Sequence, residues 1–171
     1  FENCIFEDNA IAANQATINN SGGAIYAKDL HHLSFSGCTF RSNSVRSEFT
    51  WVEGGALYVT NVENMTISDC LFESNSVWSS SSRAASGAVV VWGDGDLTIR
   101  SSRFFNNSVS SNQGAVIAGA LKCSGLRSIN VIDNTTFSNN SISSIWSFAQ
   151  GGAVQIQLTG NITIGSSIFV N

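Results

Sequence analysis

The apolar and polar positions of this chain recur in a fixed frame. Phe6, Phe40, Phe72, Phe104, Phe137 and Phe169 are separated by 34, 32, 32, 33 and 32 residues. Three residues after the first five of them come Asn9, Asn43, Asn75, Asn107 and Asn140. Each asparagine is followed by a small residue and a β-branched one, as in Ala10-Ile11 and Ser44-Val45. A second landmark precedes each of the last five phenylalanines: Gly22-Gly23-Ala24-Ile25, Gly54-Gly55-Ala56-Leu57, Ser86-Gly87-Ala88-Val89, Gln113-Gly114-Ala115-Val116 and Gly151-Gly152-Ala153-Val154. Such doubled periodicity is the signature of a solenoid. The second glycine and the next phenylalanine are 17 residues apart in four copies and 23 apart in the fourth, from Gly114 to Phe137. That difference reads as an insertion between Gly119 and Asp133.

After each Gly-Ala pair the pattern alternates with a period of two, as in Ile25-Tyr26-Ala27, Leu57-Tyr58-Val59, Val89-Val90-Val91, Val116-Ile117-Ala118 and Val154-Gln155-Ile156. A second short strand follows: Leu33-Ser34-Phe35, Met65-Thr66-Ile67, Leu97-Thr98-Ile99 and Ile162-Thr163-Ile164, with Ile129-Asn130-Val131 in the fourth copy. The phenylalanine belongs to a third short strand or bend. No helical period persists for ten residues. The expected fold is all-β: a single-stranded parallel β-helix of about five coils of roughly 32 residues, three short strands per coil, spanning residues 1–171 as one solenoid segment. A propeller needs longer repeats, and a sandwich does not demand residue columns. Stacked coils turn the landmarks into ladders. The phenylalanines fill the lumen, the asparagines turn a corner through amide bonds along the axis, and Gly23, Gly55, Gly87, Gly114 and Gly152 allow a tight bend or a close backbone approach.

The Gly-Gly-Ala-Ile/Leu/Val and Phe-x-x-Asn landmarks, as in Gly22-Gly23-Ala24-Ile25 with Phe40-Arg41-Ser42-Asn43, resemble those of the polymorphic outer membrane proteins of chlamydiae, and more widely those of pectin-lyase-like β-helices. The resemblance covers nearly the whole chain. It implies a right-handed β-helix and a role in adhesion at a cell surface.

Composition narrows the chemistry. Eight Lys and Arg against 12 Asp and Glu give a net charge of -4. That excludes binding to a nucleic-acid backbone, which requires clustered positive charge. Only 12% of residues are charged, against roughly 25% in an average domain. Ser (28) and Asn (18) supply the polar surface instead. No run of apolar residues is long enough for a transmembrane helix. The chain opens and closes inside a repeat and reads as a piece of a longer solenoid.

Cys4, Cys38 and Cys70 share one slot two residues before the phenylalanine; Ser102, Thr135 and Ser167 hold it in later coils. They read as buried thiols in a small-residue column, although neighbouring coils lie within disulfide range. Cys123 falls in the presumed insertion without a column partner. His31-His32 reads as a solvated turn, with Asp29 the nearest further ligand, so no metal or other cofactor is expected. Asp69, Glu73, Asp94 and Asp96 are the local acidic candidates, and none forms a convincing pair of carboxylates flanking a bond. The hydroxyls of Ser34, Thr66, Thr98 and Thr163 make one ragged outer column, which reads as β-propensity rather than an ice-binding array.

Asn19, Asn64, Asn106, Asn134, Asn139 and Asn161 each begin an N-glycosylation sequon. Phe49, Trp51, Trp78, Trp146 and Phe148 gather between the asparagine and glycine landmarks. They either cover that corner as a satellite core or form an interaction surface. Trp92 occupies an outward strand slot. The expectation is a non-enzymatic extracellular or cell-surface scaffold that displays loops to other proteins, to further coils of its own kind or to surface glycans. The alternatives are a subunit of a surface filament, and part of a carbohydrate-active β-helix enzyme whose catalytic residues lie elsewhere.

Overall fold

A computed structural model describes residues 1–13 and 19–170, with the side chains of 128–131 and 158–159 left aside. The described chain is a β-solenoid with no helix, and every strand pairing is parallel. Four sheets run along it. The phenylalanine sheet has six three-residue strands, from Ile5–Glu7 through Thr39–Arg41, Leu71–Glu73, Arg103–Phe105 and Thr136–Ser138 to Ile168–Val170. The valine sheet comprises Ala10–Ala13, Ser44–Ser47, Ser76–Ser79, Ser108–Ser111 and Ser141–Ser144. A corner sheet of two-residue strands follows: Asn20–Ser21, Val52–Glu53, Ala84–Ala85, Val116–Ile117 and Ala149–Gln150. The long sheet comprises Ile25–Ser36, Leu57–Ser68, Leu121–Asp133 and Val154–Gly165, with the third coil divided into Val89–Trp92 and Asp96–Arg100. Among the described residues five coils result, and Ile168–Val170 begins a sixth.

Coil number and architecture follow the repeat, but the strands divide differently. The two short strands expected after the Gly-Ala pair are halves of one long strand, bent at a left-handed residue: Asp29 (φ 56), Asn61 (φ 53) or Gly125 (φ 76). The valine and corner strands add two more segments, because Val45, Val77 and Val109 build a second small core with Val52, Ala84 and Val116.

The main core lies inside the coil. The Phe6–Phe40, Phe40–Phe72, Phe72–Phe104 and Phe104–Phe137 rings stack at 4.7 Å and Phe137–Phe169 at 4.9 Å. Each pair adds about 0.5–1.5 kcal/mol beyond burial. Next to them Asn43, Asn75, Asn107 and Asn140 are buried. The backbone N–H and side-chain Nδ2 of Asn43 both donate to Asn75 Oδ1, at 3.0 and 2.9 Å. Nδ2 also donates to the Phe6 carbonyl. The pattern repeats from Asn75 to Asn107 and from Asn107 to Asn140. Buried amides are tolerated because each finds its partner one coil away.

The fourth coil corrects the sequence reading. Val89 pairs with Leu121, not with Val116, and the Gly87 N–H donates to the Gly119 carbonyl. The fourth landmark is therefore Ala118-Gly119-Ala120-Leu121, and Gly114 is not the turn glycine. A Cβ on Gly55, Gly87 or Gly119 would collide with the carbonyl oxygen of the next coil's Gly87, Gly119 or Gly152 respectively. Close backbone approach fixes this column. The left-handed conformation lies one residue earlier, where Ser86 (φ 51) and Ala118 (φ 55) replace the glycine of other coils. Gly114 sits in the preceding corner, where a Cβ would strike the Ser82 carbonyl. The presumed insertion is an ordinary long strand with one extra residue. Leu97 pairs with Ile129, and Thr98 with Val131. Ile132, fully buried, takes the inner position opposite Ile99 that the sequence suggests for Val131; the side chains of Ile129, Asn130 and Val131 lie outside the described residues.

Candidate functional site

The long sheet carries an apolar inner column at its bend. Val62 and Leu126 hold it and are buried in the core; Leu30, which pairs with Val62 from the first coil, is 40% exposed. Counting from the flanking pairings, the third coil places Asp94 in this column. An unpaired carboxylate in the lumen would be costly. The chain avoids that by breaking the strand between Trp92 and Asp96. Gly93 adopts φ 127, Gly95 takes the inner place, and Asp94 turns out to solvent. Only glycine fits at position 95, since a Cβ there would collide with the Val62 carbonyl.

The break opens a groove of about 430 Å³ lined by Glu63, Asn64, Asp94, Gly95, Asp96 and Arg127. Arg127 Nη2 donates to Asp94 Oδ2 at 2.7 Å. That bond holds the Asp94 carboxyl below its usual range and raises the guanidinium. His31 Nδ1 lies 3.0 Å from Glu63 Oε1. Three coils thus contribute to one polar groove, in which Arg127 pairs with Asp94. Among the described residues no three His, Cys, Asp or Glu side chains come together to hold a metal ion.

A second polar site lies where the corner sheet folds against the outside of the long sheet. The slot that holds Tyr26 and Tyr58, stacked at 5.3 Å, continues as Val90, Lys122 and Gln155. Gln155 Nε2 donates to Gln150 Oε1 of the corner sheet at 3.1 Å. Lys122 is fully buried, and its Nζ donates to Glu53 Oε1, two coils away, at 2.9 Å. Val90 and Ala85, both fully buried, lie in the coil between. The ammonium sits 3.9 Å from the centre of the Trp92 ring. Desolvation lowers the Lys122 pKa despite Glu53, and desolvation also pushes the Tyr58 phenol up to about 12. Trp92, in an outward slot by sequence, is half-buried beneath this lysine.

The corner aromatics do not form the satellite core; the valines do. Phe49 (53%), Trp51 (50%), Trp146 (80%) and Phe148 (58%) are exposed. Trp78 is half-buried, with the Arg46 guanidinium 4.3 Å from its ring centre. Arg83 lies 5.6 Å from the Trp51 ring. A serine column that the sequence reading passed over shapes these loops. Ser47, Ser79, Ser111 and Ser144 accept the N–H three residues on, from Thr50, Ser82, Gly114 and Ser147. All six sequon asparagines are exposed. Asn106, Asn134 and Asn139 stand in left-handed turn positions. Arg41 bridges Glu7 and Glu73 on the phenylalanine sheet, so these two carboxylates share one cation rather than acting as a pair. Asp69 is an exposed turn residue with φ 55.

Cys38 and Cys70 are buried and Cys4 half-buried, all with free thiols. The slot they share with hydroxyl residues has a defined job. Each side chain donates to the carbonyl two residues back: Cys4 to Glu2, Cys38 to Ser36, Cys70 to Ser68, Ser102 to Arg100, Thr135 to Asp133 and Ser167 to Gly165. In several coils it also accepts the N–H of the preceding coil, as Cys70 does from Cys38 and Ser102 from Cys70. Cys123 has a column after all. It is a fully buried lumen residue paired with Val91 and Ile156, and burial raises its thiol pKa.

The Lys122 pair and the Arg127 side of the groove were missed for one shared reason, the misplaced fourth landmark. Aligned on Gly119, Lys122 falls beneath Tyr58 and Val90, and Asp94 stands out against Leu30, Val62 and Leu126.

The family described as right handed beta helix region matches the chain across residues 1–171. No curated protein and no solved structure matches it.

Proposed function

The chain belongs to the right-handed β-helix family, and from that premise we propose that it is a non-catalytic, extracellular scaffold that displays loop side chains for contact with proteins or surface glycans. The observation that carries this reading is the exposure of Phe49 and Trp51. Their loop joins Ser44–Ser47 to Val52–Glu53, strands paired on both sides by neighbouring coils. Large aromatics held in the open by a rigid frame suit a contact surface, where such residues dominate binding energy. The likeness of the Gly-Gly-Ala and Phe-x-x-Asn landmarks to those of chlamydial polymorphic outer membrane proteins supports adhesion at a cell surface. The exposed sequon asparagines suit a glycoprotein.

A panel of extracellular-matrix proteins and surface glycans tests the reading, with wild type compared against a Phe49→Ala/Trp51→Ala double variant. Binding that falls at least tenfold in the variant, at unchanged melting temperature, supports it. Equal binding by both proteins refutes the loop as the contact.

The groove favours a second reading, a carbohydrate-active site, because Glu63, Asp94, Asp96 and Arg127 converge there from neighbouring coils. Incubation with acidic and neutral polysaccharides separates the two. Release of new reducing ends or unsaturated products, lost in Asp96→Asn, establishes catalysis and overturns the scaffold.

A further inference from the structure

The corner that carries Phe49 holds two arginines without carboxylate partners. Arg46 and Arg83 form no ion pair among the described residues. Each is set against a tryptophan of the neighbouring coil instead, and the two stacks are crossed. Arg46 pairs in register with Trp78, its guanidinium 4.3 Å from the ring centre. Past the turn of the corner, Trp51 lies beside Arg83, whose guanidinium is 5.6 Å from that ring centre; the Val52 N–H donates to the Arg83 carbonyl. We propose that these two stacks, with Phe49 between them along the chain, form a docking surface for an acidic polypeptide segment that carries an apolar residue between two carboxylates. The proposal rests on the reading of this loop as the contact surface and names its partner.

Both coils lie inside the stack. Their valine strands, Ser44–Ser47 and Ser76–Ser79, and their corner strands, Val52–Glu53 and Ala84–Ala85, are paired on both sides. Val45, Val77, Val52 and Ala84 belong to the small core, so strand alternation sends Arg46, Trp78, Trp51 and Arg83 outward. Ser44, Val45, Arg46, Ser76 and Trp78 line an open groove of about 360 Å³ on this face. The other outward positions of the valine sheet are alanines and serines. Glu48 is exposed in the Phe49 loop, whereas Glu53 is buried against Lys122. Two arginines against one exposed glutamate leave this face positive, in a chain of net charge -4.

A guanidinium held over an indole is ordered before binding and keeps its remaining N–H groups for a carboxylate. Phe49 is 53% exposed between the two cations, and it calls for an apolar side chain flanked by carboxylates. Trp and Arg are the residues that anchor protein interfaces. Neighbouring coils occupy both edges of these strands, so a partner cannot add as a further strand, and recognition falls on side chains. An anionic glycan supplies the negative charge but no large apolar group for Phe49, and the Arg46 guanidinium already covers a face of Trp78 on which a sugar ring would stack.

The test is selection from a phage-displayed library of random peptides on the immobilised wild-type protein. The selected peptides and heparin are then titrated against wild type, Arg46→Gln/Arg83→Gln and Phe49→Ala. The expected peptides carry two acidic residues flanking an apolar one. Their Kd should weaken at least tenfold in the double arginine variant and in peptide copies with Gln for Glu, and should weaken as salt rises. Phe49→Ala should weaken it less. Arg46→Lys/Arg83→Lys keeps the charge without the fork and should recover only part of the loss; it decides the matter if the Gln variant melts early. Selected peptides without acidic residues, or equal binding by the arginine variants, overturn the proposal. Arginine-dependent heparin binding with no acidic peptide selected overturns it in favour of a glycan. Matrix-panel binding that needs Phe49 and Trp51 but not the arginines refutes this partner and keeps the loop as the contact; binding that needs none of them refutes both.

Discussion

Asp94 and Lys122 are charges introduced one coil apart into the same long sheet, and the fold treats them in opposite ways. Asp94 falls in an inner column built from Leu30, Val62 and Leu126. Its coil gives up the regular strand, two glycines absorb the change, and the carboxylate leaves the core for Arg127. Lys122 falls in an outer slot that the corner sheet covers. There the strand stays regular, because Glu53 waits two coils away and Trp92 supplies a π-face. A charge with a preformed partner is buried, whereas a charge in an apolar column remodels the backbone. Only the second outcome opens a groove to solvent, so the solenoid's candidate binding site coincides with its local conflict with the repeat.

Breaking the buried pair should have the largest effect. Lys122→Ala leaves Glu53 buried beside the hydrophobic corner and should destabilise by about 3–5 kcal/mol in denaturant unfolding. A Lys122→Met/Glu53→Gln double variant should recover most of that loss. If the single variant is no less stable than wild type, the pair does not hold the corner. Gly95→Ala comes next. Its methyl group must displace the Val62 carbonyl, and a loss of about 1–3 kcal/mol is expected, as for other overpacked sites.

Asp94→Leu sharpens the comparison in the other direction. The introduced leucine completes the apolar column between Val62 and Leu126, and its burial should stabilise by about 1–2 kcal/mol. Hydrogen exchange at residues 93–96 should slow as the strand closes. An unchanged exchange rate there would mean that the glycines alone keep the groove open. The smallest effect concerns pH. Tyr58 titrates near 10 when unfolded and at about 12 when folded. The unfolded chain loses this proton first, so stability falls as pH rises from 10 towards 12. The loss should be about 1 kcal/mol for this partly exposed phenol. A Tyr58→Phe variant should lack that component.

The ladders were legible because identical residues must stack to bury themselves. One phenylalanine per coil says little, but six at near-constant spacing fix the coil length and the number of turns. The corner strands were not legible. Two residues such as Val52-Glu53 or Ala84-Ala85 are too short to show a period, and they exist through pairing with neighbouring coils. The fourth landmark misled because Gln113-Gly114-Ala115-Val116 copies the right letters for a different reason, the clash of a Cβ with the Ser82 carbonyl. The true copy, Ala118-Gly119-Ala120-Leu121, hides its bend behind an alanine at φ 55. That one shift moved Cys123 out of the lumen and Lys122 out of its slot. The phenylalanine and asparagine columns carried no such ambiguity, since each residue had one place to go.

The asparagine ladder has a mechanical consequence. Its bonds run along the axis with one polarity, each amide gripping the next coil's oxygen while its Nδ2 also holds a phenylalanine carbonyl one coil back. Tension applied along the rod falls on these links in series, so the coils should peel one at a time, each step releasing roughly 32 residues of slack. A sideways pull instead meets all the rungs of a sheet together in shear. A rod of this kind is compliant end-on and stiff across its width, and the Lys122–Glu53 clasp, which spans three coils, should appear in a pulling trace as a larger rip among small ones.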